Sequence, residues 1–189
     1  MSIGKRTQHR GYTLLEILIV VVILGISAAV LIPSLGDAHV LRVQAAVRTV
    51  VSDISFAQTD ALSYQQRRAI VFDEASNSYS VCEVQVTGGG GSPTVVYEPL
   101  FVPIGADGRY VQDLTAAGFS GAEIYDVDFG TTGEILIFDE LGTPVAGGAS
   151  TSASSGGTLY VRGSGSNFRI DIAPYTAKLS VERVAATSP

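Results

Sequence analysis

Residues 10–32 read RGYTLLEILIVVVILGISAAVLI, and after Arg10 the only charge in this run is Glu16. At a rise of about 1.5 Å per residue, an unbroken helix over 12–32 would reach roughly 31 Å, close to the hydrocarbon thickness of a bilayer. The run is therefore predicted to cross a membrane once, as a helix. Lys5, Arg6 and Arg10 stand ahead of it with no acid among them. Such a basic start before an apolar stretch holds that end in the cytoplasm.

Working outward, three readings of this segment compete. A cleaved secretory signal could end at the small residues Ser27, Ala28 and Ala29. Against it, Glu16 sits near the start of the apolar core, and the apolar pattern continues past Ala29 into an amphipathic helix. An ordinary anchor is the second reading. It has no use for Glu16, which would cost roughly 2.5 to 3.5 kcal/mol at mid-bilayer. A carboxylate inside a membrane is by default functional, and the third reading asks what cation it meets.

The residues Arg10-Gly11-Tyr12-Thr13-Leu14-Leu15-Glu16 and the apolar run behind them resemble the type III signal of type IV prepilins and type II secretion pseudopilins. The resemblance implies that a prepilin peptidase cuts between Gly11 and Tyr12 and methylates the new amine of Tyr12. The family more often has Phe at that position. Each residue has a physical reason: glycine lets the backbone lie close in a protease cleft, and cutting removes the three cations of the leader. The new amine of one subunit could then meet Glu16 of a neighbour, a pairing that would reward correct register because an uncompensated buried charge costs several kcal/mol. Gly25 and Pro33 match positions where pilin helices commonly carry a glycine and a proline. Proline removes a backbone donor, so a break or bend is expected near residues 31–34.

Beyond Pro33, apolar or small residues recur at Val40, Val43, Val47, Val50, Ile54, Ala57 and Ala61, the three- and four-residue spacing of one helix face. Arg42, Gln44, Arg48, Ser52, Asp53 and Asp60 are assigned to the opposite, wet face, and the helix is expected to end near Gln65 or Gln66. Strands are predicted over 68–73, 79–86, 95–102, 123–129, 134–138, 158–162, 167–173 and 177–184, separated by turn residues such as Asn77, Gly133 and Gly142. The glycine- and serine-rich stretches 88–91 and 147–157 read as flexible surface loops.

The expected fold is α+β and pilin-like, a long N-terminal helix packed on a C-terminal antiparallel β-sheet head. Its parts are a cleaved basic leader over 1–11, a transmembrane and filament-core helix over 12–33, an amphipathic helix over 34–66 and a β-rich head over 67–189. The helix end running into Ala69-Ile70-Val71-Phe72, then Phe138 with Gly142, then Phe168-Arg169-Ile170-Asp171-Ile172, is similar to the GspH/FimT group of minor pseudopilins and minor pilins. That group often has Ala-Arg where this chain has Ala57-Gln58, and Gly-Arg where it has Ala177-Lys178.

Composition narrows the chemistry. The net charge of −6 becomes −9 once the three leader cations are set aside, which argues against general binding of nucleic acid. Arg162, Arg169, Lys178 and Arg183 are the best case for such binding, yet Asp171 and Glu182 interleave with them. Cys82 is the only cysteine, so no intrachain disulfide forms, and its place beside Val84 and Val86 in a strand suggests a small buried hydrophobe. With histidine only at His9 and His39, neither a Ser-His-Asp triad nor a histidine metal cluster is expected. Asp126 and Asp128 could face a calcium ion from one strand face, but read more simply as solvated charge. The 88–91 glycine run lacks the Gly-Lys-Ser/Thr of a phosphate loop.

The resulting expectation is a non-enzymatic structural subunit without cofactor or metal, a minor pseudopilin of a type II secretion pseudopilus. A minor pilin of a type IV pilus is the near alternative, and a membrane-anchored binding module or enzyme the distant one. Its implied partners are other pilin or pseudopilin subunits, the prepilin peptidase and methyltransferase, and an inner-membrane assembly platform. Before assembly it would sit single-pass in the inner membrane, with its head outside the cytoplasm.

Overall fold

The computed structural model describes residues 12–88, 93–103 and 108–185, the side chains of 28–38 excepted. The leader over 1–11 and most of the 88–91 glycine run lie outside the described residues. The chain divides into two compact units, Met1–Ala38 and His39–Pro189. One helix, α1 (Leu14–Tyr64), contributes to both.

In the first unit every described residue is exposed. The membrane span expected over 12–33 runs past Ser27 into residues whose side chains are not described, and among the described residues no helix is long and apolar enough to cross a membrane. The helix assignment continues through Gly25 and Pro33.

The second unit is built on the other half of α1. Val43, Ala46, Val47, Val50, Ile54, Ala57 and Ala61 are all buried, and their spacing draws one continuous stripe along the helix. Burial of such side chains contributes about 1.5–3 kcal/mol for each large aliphatic one.

The strands β1 (Arg68–Asp73), β2 (Ser78–Thr87), β3 (Thr94–Pro99), β4 (Val111–Asp113) and β5 (Glu123–Asp128) follow in order. After them come β6 (Ile135–Phe138), β7 (Pro144–Val145), β8 (Gly157–Gly163), β9 (Ser166–Ile172) and β10 (Leu179–Val184). They form two antiparallel sheets. The first runs β3-β2-β1-β6-β7, with β4 also paired to β2, and the second runs β10-β9-β8-β5.

The helix stripe meets Ile70, Phe72, Tyr79, Val81, Leu136 and Phe138 of the first sheet in the main core. From the second sheet the same core takes Ile124, Leu159, Val161, Ile170 and Ile172. Period-two alternation sends Ala69, Cys82, Val84, Ile137 and Val145 to the other face of the first sheet, where they form a second small cluster. Cys82 is buried there as expected, and burial pushes its thiol pKa up.

That second cluster explains why the glycine-rich stretch 147–157 is not the flexible surface loop expected from its composition. Arg67 Nη1 donates to the carbonyls of Gly148 at 2.6 Å and Ser150 at 2.9 Å, pinning the segment down. A Cβ at Gly148 would collide with Val95 and lie 3.2 Å from the Tyr97 hydroxyl, so the backbone lies directly on the sheet.

Asn77, read in the sequence as a turn residue, also ties the two sheets. Its Nδ2 donates to Ala122 O at 2.8 Å and its Oδ1 accepts from Ile124 N at 2.9 Å, while Glu74 Oε1 accepts from Val127 N at 2.7 Å. The β8–β9 hairpin turns on Ser164 (φ 48) and Gly165 (φ 73), both left-handed, as a tight two-residue turn requires.

Candidate functional site

Thr13 is the last residue before α1, and its Oγ1 accepts a hydrogen bond from the backbone N–H of Glu16 at 3.2 Å. A threonine followed three places later by glutamate is the spacing of a capping box, in which side chains satisfy backbone donors that the first helical turn leaves without partners. Glu16 also stands at the positive end of the helix dipole, where an anion is favoured. The sequence reading missed this local role, although the Thr-Leu-Leu-Glu spacing carried the signal.

Tyr12 is 78 % exposed just ahead of the cap. Gly11, the other side of the expected cut, lies outside the described residues. A Cβ at Gly25 would meet nothing within 4 Å, so among the described residues no packing contact calls for glycine there. Pro33 is carried within α1, and its side chain belongs to the stretch not described. Leu14, Leu15, Ile17, Leu18 and Val21 lie open beside the cap. The arrangement therefore offers an exposed carboxylate at a helix N-terminus, set in an exposed apolar surface.

In the head, Asp53 and Asp60 are not on the wet face that the helix periodicity assigned to them. Asp53 is buried and accepts from Tyr79 Oη at 2.6 Å and Tyr110 Oη at 2.8 Å. Burial first, and the adjacent carboxylate second, raise the Tyr79 pKa; burial and the hydrogen bond to Asp53 do the same for Tyr110. Asp60 forms an ion pair with Arg68, which is itself buried and also donates to Gln66 Oε1 at 3.1 Å. Gln58 Nε2 donates to the carbonyls of Gly142 at 2.9 Å and Thr176 at 3.2 Å, fastening two loops to the helix. These polar residues lock α1 to the sheets.

The other candidates separate. Asp126 and Asp128 do not share a regular strand face, because Asp126 is left-handed (φ 51) and the β5–β8 register shifts between Tyr125 and Asp128. Asp128 Oδ1 instead accepts from Gly130 N at 2.7 Å. Among the described residues no group of three or more His, Cys, Asp or Glu side chains could hold a metal ion.

Two of the four C-terminal cations, Arg162 and Arg169, are held by acidic partners. Arg162 makes two hydrogen bonds to Glu123, at 2.8 and 3.0 Å, with its guanidinium 4.6 Å over the Tyr125 ring. Arg169 meets Asp171 at 2.9 Å and Glu182 at 3.1 Å. Such pairing removes these two guanidinium groups from the positive charge available to a phosphate backbone.

Residues 6–32 match the family described as the prokaryotic N-terminal methylation motif, which covers Gly11, Tyr12, Glu16 and Gly25. No curated protein and no solved structure matches the chain. The chain thus carries, over residues 6–32, a type IV pilin-like prepilin signal.

Proposed function

We propose that this protein is a non-enzymatic structural subunit, a minor pseudopilin of a type II secretion pseudopilus. The observation that carries the reading is the methylation motif over 6–32, with Glu16 held by its cap at the start of α1. In this reading the peptidase cuts after Gly11, and methylated Tyr12 supplies the cation for a neighbour's Glu16. The apolar helix holds the subunit in the inner membrane until assembly. Support from the head is its antiparallel architecture on α1, with the motif residues 69–72 in β1, Phe138 in β6 and 168–172 in β9.

Mass spectrometry of protein made alongside a prepilin peptidase tests the first step. The expected chain begins with methylated Tyr12; one that keeps its leader, or begins beyond Ala29, overturns the reading. Deleting the gene tests the second step. Loss of protein secretion with surface pili intact supports the pseudopilin assignment, and the reverse outcome selects a minor pilin of a type IV pilus.

A further inference from the structure

The two edges of the second sheet differ. At one edge β5 is interrupted by its register shift and the left-handed Asp126, a bulge of the kind that blunts an edge against further pairing. At the other, β10 pairs with β9 through six unbroken residue pairs, and among the described residues no strand lies on its outer side. Its sequence, LSVERV, contains neither proline nor glycine. A straight edge of this sort is a template for one more strand.

An apolar groove adjoins the same edge. Val181 of β10 is 46 % exposed, and with Val47 and Val51 of α1 and Phe168 of β9 it lines a groove of about 430 Å³. Arg48 borders the groove from the helix. Arg183 lies two residues beyond Val181, hence on the same face of β10, and stands opposite Phe168 in the register. Among the described residues neither Arg48 nor Arg183 has a carboxylate within ion-pair distance, in contrast to Arg162 and Arg169. In a chain of net charge −6, two cations without acidic partners beside an open apolar groove select a partner that brings carboxylates.

We propose that β10 and this groove form a docking site for an extended segment of another protein. The segment adds as a strand to β10, places an apolar side chain beside Val181, and sets an acidic side chain two residues away against Arg48 and Arg183. Backbone pairing would supply affinity, and the apolar and acidic positions on one face would supply selectivity.

The test uses the full chain in a non-ionic detergent and the dye-labelled peptide Thr-Val-Thr-Glu-Thr-Val-Thr-Glu-Thr, with its Lys-for-Glu counterpart as control. Fluorescence anisotropy should show saturable binding of the Glu peptide at least tenfold tighter than the control, and hydrogen exchange should slow at 179–184. Val181→Glu should abolish binding, and the Arg48→Glu/Arg183→Glu pair should reverse the preference between peptides. These three side chains are exposed, and an unchanged unfolding midpoint would verify that each variant folds. The proposal is overturned by absence of binding, by binding without protection of 179–184, or by an unreversed preference. Protection of 179–184 that grows with chain concentration alone would assign the edge to a second copy and overturn it as well.

Discussion

The Asp53 carboxylate on α1 accepts hydrogen bonds from two phenols, Tyr79 of β2 at 2.6 Å and Tyr110 at 2.8 Å, and no cation shares the site among the described residues. A buried carboxylate without a cation is held by its donors alone, so it anchors the helix to the sheet only while both hydroxyls remain protonated. Asp53→Ala strands the Tyr79 hydroxyl in the core, whereas Tyr110 can turn toward solvent. The expected loss of stability is about 1–3 kcal/mol, the cost of a buried group left without its partner. Urea unfolding of the wild type and variant measures it; a change under a few tenths would remove Asp53 from the list of anchors.

The same contact sets a pH dependence. Burial and the Asp53 charge raise the folded pKa of Tyr79 above the ordinary tyrosine value of about 10. With a raised folded pKa, the contribution is fully present below the unfolded value and is lost as pH climbs beyond it. Above about pH 10 the unfolded chain releases a proton that the folded chain keeps, so stability should fall by about 1.4 kcal/mol per pH unit for each such group. Unfolding midpoints between pH 8 and 11 should show the decline, and Tyr79→Phe should make it shallower, leaving the share of Tyr110, while lowering stability at pH 8.

Gly163 provides a packing test. Its added Cβ would press into the Gly121 carbonyl and lie 2.7 Å from Val43 Cγ2, so the glycine is needed for close approach of backbone to helix. Gly163→Ala should cost about 1–3 kcal/mol through forced displacement. Gly165→Ala next door meets open space and is strained only by its positive φ, so it should cost about 1 kcal/mol. Thermal unfolding of the two variants should rank them in that order.

The helix and the longer strands were legible in the sequence because alternation and helical spacing survive over five or more residues, as in 168–172 and 43–61. The short strands β4 and β7 were not, since three- and two-residue pairings leave no period to detect. Asp53 and Asp60 defeat the expectation because charge alone does not place a residue in water. The partners of Asp53, Tyr79 and Tyr110, lie 26 and 57 residues away, so only the fold brings them together, and Arg68 reaches Asp60 across the turn that ends the helix. Composition likewise misread 147–157, where glycine serves a tight lie against Val95 and Arg67 supplies the clasp. At the N-terminal site, by contrast, the motif was local and carried its own spacing. What the sequence reading lacked there was the Thr13 cap on the Glu16 backbone N–H and the place of the carboxylate in the first turn.

The cap and the charge can be separated. If the first turn needs only its cap, the harm should follow Thr13, whose Oγ1 accepts from the Glu16 backbone N–H, a bond that substitution of the Glu16 side chain leaves in place; its loss costs roughly 0.5–2 kcal/mol. If it matters as the counterion of a neighbour's cut amine, the harm should follow the charge. Thr13→Val removes the cap acceptor and keeps the carboxylate; Glu16→Gln keeps a group able to complete the cap and removes the charge. Under the proposed function, the Thr13 variant should still assemble and the Glu16→Gln variant should not, although both are inserted and cut equally. Sheared filament yield, normalised to processed protein in the membrane, distinguishes them. Assembly of Glu16→Gln at the wild-type level would remove the charge of Glu16 from assembly and leave register to apolar packing alone.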